Sequence, residues 1–391
     1  MDTELCKLLH LRHLRFKLPS WVAVVALFML FTATMETNAQ EEGDATEPLV
    51  PALFAFGDSL IDNGNNNHLR TLAKANYLPY GRDLPSHTPT GRFTNGYTAL
   101  DYFAFKLGLP PPPAHSDPST NGTRLLQGVN FASAASGIEP YTGLNFGKVF
   151  SLDAQIKQFA QVKQQIIALI GSSATDELFS KSIFFVVTGS NDWLNTYFFP
   201  GSPLPKLYTK IQYRDLLINK LVSQFEALYQ LGARNFAFTG LSGVGCCPSQ
   251  MRAYKAVNGT CVQWLNDLSR DFNMNLMPRL LSLPNSLPGT KFAFQDGQEV
   301  LLTIRRNAAA YGFSIVDHAC CGVGKYGGFL NCFQGFPVCD DEEIHMFWDA
   351  YHPTSKFDKY FVDMLWNYGP PFSYPVSGKQ IIDSVRQKDG N

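Results

Sequence analysis

The chain has 391 residues, 45% of them hydrophobic and 13% aromatic, with 32 Lys and Arg against 33 Asp and Glu. That is ample material for a packed core, and the even charge balance leaves no basic footprint of the kind nucleic-acid binding requires. Eight cysteines and two Asn-x-Thr sequons, at Asn121 and Asn258, point instead to an oxidising compartment.

Residues 1–39 read as a secretory leader. Lys7, Arg12, Arg15 and Lys17 precede the apolar run 21–34, and Thr37-Asn38-Ala39 offers a small-residue cleavage site. The run is shorter than the roughly 20 residues of a spanning helix. A secreted chain starting near Gln40 is expected, one domain over 40–391, with no stable membrane insertion after cleavage. The first strand is expected at 52–57, where an apolar run stops at Gly57-Asp58-Ser59-Leu60. Residues 61–96 are rich in Asn, Gly, Pro and Thr and read as loop. A second strand is expected at 125–132, ending in Ser133-Ala134-Ala135-Ser136-Gly137. Ile156, Phe159, Val162, Ile166 and Ile170 recur at helical spacing over 153–170. The third strand, 183–188, ends in Gly189-Ser190-Asn191-Asp192. Helices at 213–231, 265–281 and 298–309 then alternate with strands at 235–239 and 291–295, and a last helix is expected at 354–366. Strands separated by helices make a mostly parallel sheet covered on both faces. Its small or polar strand ends at Ser59, Gly137 and Asn191 would meet on one rim.

A serine becomes a nucleophile only beside a base, and that base needs an acceptor to orient it. Among the histidines, His352 has Asp349 three positions before it and Pro353 after it, a turn that feeds a helix N-terminus. The plain alternative is a capping Asp349 and a surface His352. His318, beside Asp317 and the vicinal cysteines, and His345, in an acidic run, read as structural. Acyl transfer also needs donors for a developing oxyanion. The Ser59 N–H, the Gly137 N–H and the Asn191 side-chain amide are the candidates, each with an ordinary turn-forming reading beside it.

Cys6 lies in the leader, which leaves seven cysteines and so one thiol over once pairs form. Cys261 pairs locally with Cys246 or Cys247, and Cys320, Cys321, Cys332 and Cys339 make two more bridges. No pair has the C-x-x-C spacing of a zinc site, and neither metal nor cofactor is expected. Two aromatic groups, Tyr197-Phe198-Phe199 and Tyr326, Phe329, Phe333 and Phe336, read either as acyl-pocket walls or as core.

Four blocks in order carry a family resemblance. They are 56–66 from Phe56-Gly57-Asp58-Ser59-Leu60, 128–138 from Gly128 to Ile138, Gly189-Ser190-Asn191-Asp192, and 347–354 around Trp348-Asp349-Ala350-Tyr351-His352-Pro353. Together they resemble the plant-type GDSL esterases/lipases of the SGNH hydrolase superfamily. The resemblance implies a flavodoxin-like three-layer α/β/α sandwich with a mostly parallel five-stranded sheet. It also implies Ser59 as nucleophile, His352 as base, Asp349 as its orienter, and Ser59, Gly137 and Asn191 as the oxyanion hole. The second block has alanines where many relatives carry glycines, so residues 130–137 leave the donor there open. The activity implied is hydrolysis of a small-molecule or lipid-like ester by a secreted enzyme of the apoplast or cell wall. An acyltransferase using an alcohol acceptor, or a silent binding or defence protein on the same scaffold, are the alternatives.

Overall fold

A Phe-Ala-Phe alternation recurs at the heart of three strands and decides how the layers assemble. The computed structural model describes residues 47–387; the expected leader over 1–39 lies outside the described residues. Strands β1 (Leu53–Gly57), β2 (Ile183–Val187), β3 (Asn235–Thr239) and β4 (Lys291–Gln295) pair in parallel, in that order, in unbroken register. Successive strand residues point to opposite faces. Phe54, Phe56, Phe184, Phe236, Phe238, Phe292 and Phe294 therefore fill one face, and Ala55, Ala237 and Ala293 the other.

The phenylalanine face packs against α2 (Leu152–Ile170), α3 (Ser172–Lys181), α4 (Lys210–Gln230) and α5 (Gln263–Ser282). Against the alanine face, where small side chains let helices come close, lie α1 (Ala99–Lys106), α7 (Ser355–Asn367) and α8 (Gly378–Arg386). A further helix, α6 (Gly297–Arg306), sits beyond the end of β4, its first turn held by Asp296, which accepts from the Gln298 and Glu299 amides. The result is a three-layer α/β/α sandwich with a mostly parallel sheet.

The expected second strand does not form. Gly122–Gln127 is a 3-10 helix, Gly128 turns the chain at φ +110°, and only Asn130 bridges to Ala55. The Asn130 amide explains the interruption: its Nδ2 donates to the Ile61 carbonyl and to Asn63, and its Oδ1 accepts from Ala132. The segment still lies along β1, since Ala55 donates to Val129 O and accepts from the Phe131 N–H. The fifth strand of the sheet is β7 (Ser373–Tyr374), antiparallel to β4, at the opposite edge. Two residues are too few to show a periodicity. A separate parallel pair, β5 (Ile315–Ala319) and β6 (His345–Phe347), was also invisible in the pattern because Asp317 and His318 break its apolar run.

The chain thus leaves β1 toward its outer edge and comes back on the other side as β2. That reversal opens a crevice beyond the carboxyl ends of the two strands, where open α/β sheets bind ligands.

Candidate active site

Ser59 stands just past β1, in a bend that the backbone of Gly57 makes possible. Gly57 adopts φ +153°, and a Cβ there would run into the Val187 carbonyl. Gln155 of α2 clamps the same residue from both sides: its Oε1 accepts from Gly57 N–H and its Nε2 donates to Gly57 O, each at 2.8 Å. The chain after Ser59 then coils, with Ile61 and Asp62 amides returning to the Asp58 carbonyl.

The imidazole arrives from the other end of the chain. Between β6 and α7, Trp348 N–H donates to His352 O, closing a tight turn, and Thr354 N–H donates to Met346 O. Asp349 is wholly buried. Its Oδ1 accepts from the Tyr351 and His352 amides and lies 2.8 Å from His352 Nδ1; Oδ2 lies 2.9 Å from the same nitrogen. The far nitrogen, Nε2, is 2.8 Å from Ser59 Oγ. Phe93 packs on the imidazole at 4.9 Å between ring centres. Burial alone would raise the Asp349 carboxyl, but the imidazole beside it, the Tyr80 hydroxyl and the Tyr351 amide outweigh that and hold it below the ordinary carboxylate value.

Asn191 follows β2 at the next strand end. Its Nδ2 donates to Ser136 O at 2.9 Å and its Oδ1 accepts from Asn195 at 2.6 Å, so the amide is oriented with one Nδ2 hydrogen to spare. The loop from 134 to 142 is pinned by two buried carboxylates. Asp62 accepts from Ala134 N–H, and Asp192 accepts from the Ile138 and Glu139 amides and the Thr142 hydroxyl. Burial pushes each of them up to about 6 despite those bonds. Gly137 is a glycine for packing reasons, since a Cβ would strike the Asp192 carboxylate and Thr142.

Ser59, His352, Asn191, Ala134 and Ala135 line one cavity of about 130 Å³, walled by Phe93, Phe146, Leu194, Val244, Leu301, Phe347, Phe357 and Phe361; Gly137 is not among its walls. Neither aromatic group singled out in the sequence lines it. Tyr197 and Phe198 pack instead on Trp193, Tyr326 on His318, and Phe333 on Tyr77 and Phe336. Asn121 and Asn258 are both exposed, well outside the walls of this cavity.

Four supporting residues escaped the sequence reading. Gln155 was detectable, as a polar residue on the apolar stripe of α2 that carries Leu152, Ile156 and Phe159. Asp62 and Asp192 lie inside motif blocks but look there like ordinary turn formers. Tyr80, whose hydroxyl donates to Asp349 Oδ2 at 2.6 Å, sits in a loop with no pattern to flag it. Among the described residues the cysteines resolve as Cys246–Cys261, Cys320–Cys339 and Cys321–Cys332, which leaves Cys247 free. Burial pushes the Cys247 thiol up to about 12, so it remains protonated beside the site.

A hydroxyl, an imidazole and a buried carboxylate in one hydrogen-bonded line, with amides close by, are the parts of a serine hydrolase. Residues 53–365 match the family model of GDSL-like lipases/acylhydrolases. The chain belongs to the GDSL lipase/acylhydrolase family. Membership makes it a carboxylic ester hydrolase. This GDSL hydrolase is 40% identical to GDSL esterase/lipase At1g71691 of Arabidopsis thaliana over 334 residues, 85% of this chain and 86% of the relative. It is 39% identical to GDSL esterase/lipase 7 of the same plant over 335 residues, 85% and 92% of the two chains. With GDSL esterase/lipase At5g08460 the identity is 36% over 364 residues, 92% of this chain and 94% of that one.

Proposed function

We propose that this GDSL hydrolase is a secreted serine esterase working through an acyl-enzyme on Ser59. The 2.8 Å separation of Ser59 Oγ and His352 Nε2 carries the reading. As Ser59 Oγ bonds to the ester carbonyl carbon, its proton passes to Nε2. Asp349 remains a carboxylate throughout and holds Nδ1–H, which fixes the tautomer and stabilises the imidazolium that forms. The tetrahedral oxyanion is met by Ser59 N–H, the Asn191 amide and one N–H of the 134–137 loop. The Ala134 and Ser136 amides are engaged by Asp62 and by the Ser133 carbonyl, so the choice there lies between Ala135 and Gly137. Ala135 has the stronger support, since it lines the cavity and holds φ +65° there. The imidazolium then protonates the departing alcohol, and water, deprotonated by the same nitrogen, releases the acid from Ser59. The apolar cavity walls suit a lipid-like or other small-molecule ester.

Within this proposal residues 1–39 are a leader and 40–391 one domain delivered to the cell exterior. Three disulfides and exposed Asn121 and Asn258, as glycosylation sites, agree with that route. Among the described residues no helix is long and apolar enough to cross a membrane. The deciding experiment is Ser59→Ala on a short p-nitrophenyl ester. Turnover should fall by about 10⁴-fold or more while the melting temperature hardly moves. Turnover that survives the substitution sinks the mechanism. With glycerol present, the wild-type chain should release mainly free acid; a dominant glycerol ester would make it an acyltransferase.

A further inference from the structure

Three segments border the Ser59 cavity, and their composition sets them apart. Residues 66–80, 141–150 and 328–338 contain no aspartate or glutamate, although the chain carries 33, and they hold Arg70, Lys74 and Lys148. They are joined to one another. Leu72 N–H donates to Phe146 O, Lys148 N–H donates to Arg70 O, and the Tyr77 hydroxyl donates to Cys332 O. Each also supplies a wall of the cavity, through Ala73, Phe146 and Asn331. Beneath them lies a buried cluster of Ala73, Ala75, Tyr80, Ala134, Ala135, Cys321, Cys332 and Trp348, so the rim rests on a rigid base.

Seven large apolar side chains of these segments face water: Leu72 is 80% exposed, Leu144 56%, Phe329 52%, Leu78 50%, Leu330 44%, Phe333 43% and Tyr141 37%. Scattered exposed leucines need no explanation, but a group of them rimming an apolar cavity, fringed by cations, marks a docking face. We propose that this rim seats the enzyme on an anionic lipid surface, apolar side chains entering the acyl boundary and Arg70, Lys74 and Lys148 meeting the headgroups. The proposal rests on the esterase reading above and deepens it: the ester is taken from an assembled lipid phase, through the apolar mouth, with no passage through water. Two features select this occupant. A second copy of the chain docked by two-fold symmetry would set these cations against their own kind with no carboxylate in any of the three segments to offset them. A protein partner there would also stop the mouth that substrate must enter, whereas a lipid surface delivers substrate to it.

The test is sedimentation with vesicles of phosphatidylcholine, either pure or with about 30 mol% phosphatidylglycerol. Wild-type chain, a Leu72→Asp/Leu144→Asp/Phe333→Asp variant and an Arg70→Glu/Lys148→Glu variant are compared, all prepared from one secretory host so that they share an N-terminus. The wild-type chain should pellet with anionic vesicles about tenfold more tightly than with neutral ones. Both variants should lose about tenfold of that binding, with turnover of a dissolved p-nitrophenyl ester within about twofold of wild type. Should the aspartate variant lose dissolved-ester turnover, it has lost its fold and the charge-reversal pair decides alone. A wild-type chain that stays in the supernatant at both compositions, variants that pellet like wild type, or a dimer that only the variants dissociate would each overturn the proposal. Loss of dissolved-ester turnover on Ser59→Ala tests the esterase reading separately, because binding does not require the nucleophile.

Discussion

Tyr80 shows how much one uncharged side chain can decide. It is wholly buried, 269 residues from Asp349 in sequence, and gives the carboxylate a hydrogen bond of 2.6 Å from the side opposite the Tyr351 amide. Burial and the neighbouring carboxylate hold the Tyr80 phenol well above its ordinary value, so it always has a proton to donate. Its ring also packs on Tyr77, Phe93 and Trp348, contacts that phenylalanine preserves. Tyr80→Phe should therefore lower kcat by about tenfold with KM unchanged, since a lost hydrogen bond to a charged group costs roughly 1.5–3 kcal/mol. A fall in KM-dependent binding alone, or no kinetic change, would remove Tyr80 from the positioning of Asp349. Asp58, next to Ser59, makes a second test by its titration. Burial pushes its carboxyl from 3.8 to about 7, against the pull of the Leu60 amide and of His352, with Asp192 and Asp62 adding to the rise. The folded chain thus keeps this proton over a window in which the unfolded chain has released it. Stability from this group falls as pH climbs from about 4 to 7, the reverse of Asp349, whose contribution is lost on acidification. Asp58→Asn cannot ionise, so melting curves taken from pH 5 to 8 should decline less steeply for the variant than for wild type. Parallel curves would show that Asp58 does not titrate there.

Among the elements, α7 does most to aim the His352 imidazole. Its N-cap Thr354 donates to His345 O at 2.8 Å and its hydroxyl accepts from Phe357 N–H, so one side chain fastens the helix start to β6 on either side of the Asp349–His352 turn. Thr354→Ala should cost about 1 kcal/mol of unfolding free energy, with a larger proportional loss in kcat than in KM; urea titration beside steady-state kinetics checks both. The helix itself was legible in advance because Pro353 and Thr354 mark its start, and the strands β1 to β4 were legible because each is built on an apolar run of three to five residues closed by polar or small residues. Ser59, Asn191, Asp349 and His352 stand out as candidates for a related reason: each stands at such a boundary, where local chain chemistry and the rim of the sheet coincide. What stayed hidden depends on distant partners. The run 125–132 has the apolar content of a strand, and only the Asn130 amide bonds to Ile61 and Asn63, invisible in one dimension, explain why it meets β1 at a single bridge. The cavity walls were hidden for the same reason. Phe347, Phe357 and Phe361 look like core residues of a strand and a helix until β6 and α7 bring them over the end of the sheet.

At the scale of the whole molecule, two disulfides brace the segment that carries one side of the cavity mouth. Cys320–Cys339 and Cys321–Cys332 tie residues that otherwise have little regular structure to the cluster beneath Ala134 and Ala135. Replacing Cys321 and Cys332 together by serine should lower stability by about 2–4 kcal/mol and weaken turnover through the loosened Tyr77–Cys332 contact. Denaturant midpoints, compared with Cys247→Ser as the control that breaks no bridge, measure the first effect. If both substitutions gave equal midpoints, the brace would be idle.

The distance in sequence between Ser59 and His352, 293 residues, also carries a temporal meaning. A ribosome that has just added the serine runs for roughly 15–60 s, at about 5–20 residues per second, before the imidazole exists. During that interval the cell holds a growing chain whose hydroxyl has no base, beside whatever lipids surround its site of synthesis. Under the proposed mechanism the addition of His352 is therefore the event that supplies the base, and a product of translation interrupted before residue 352 is born without it.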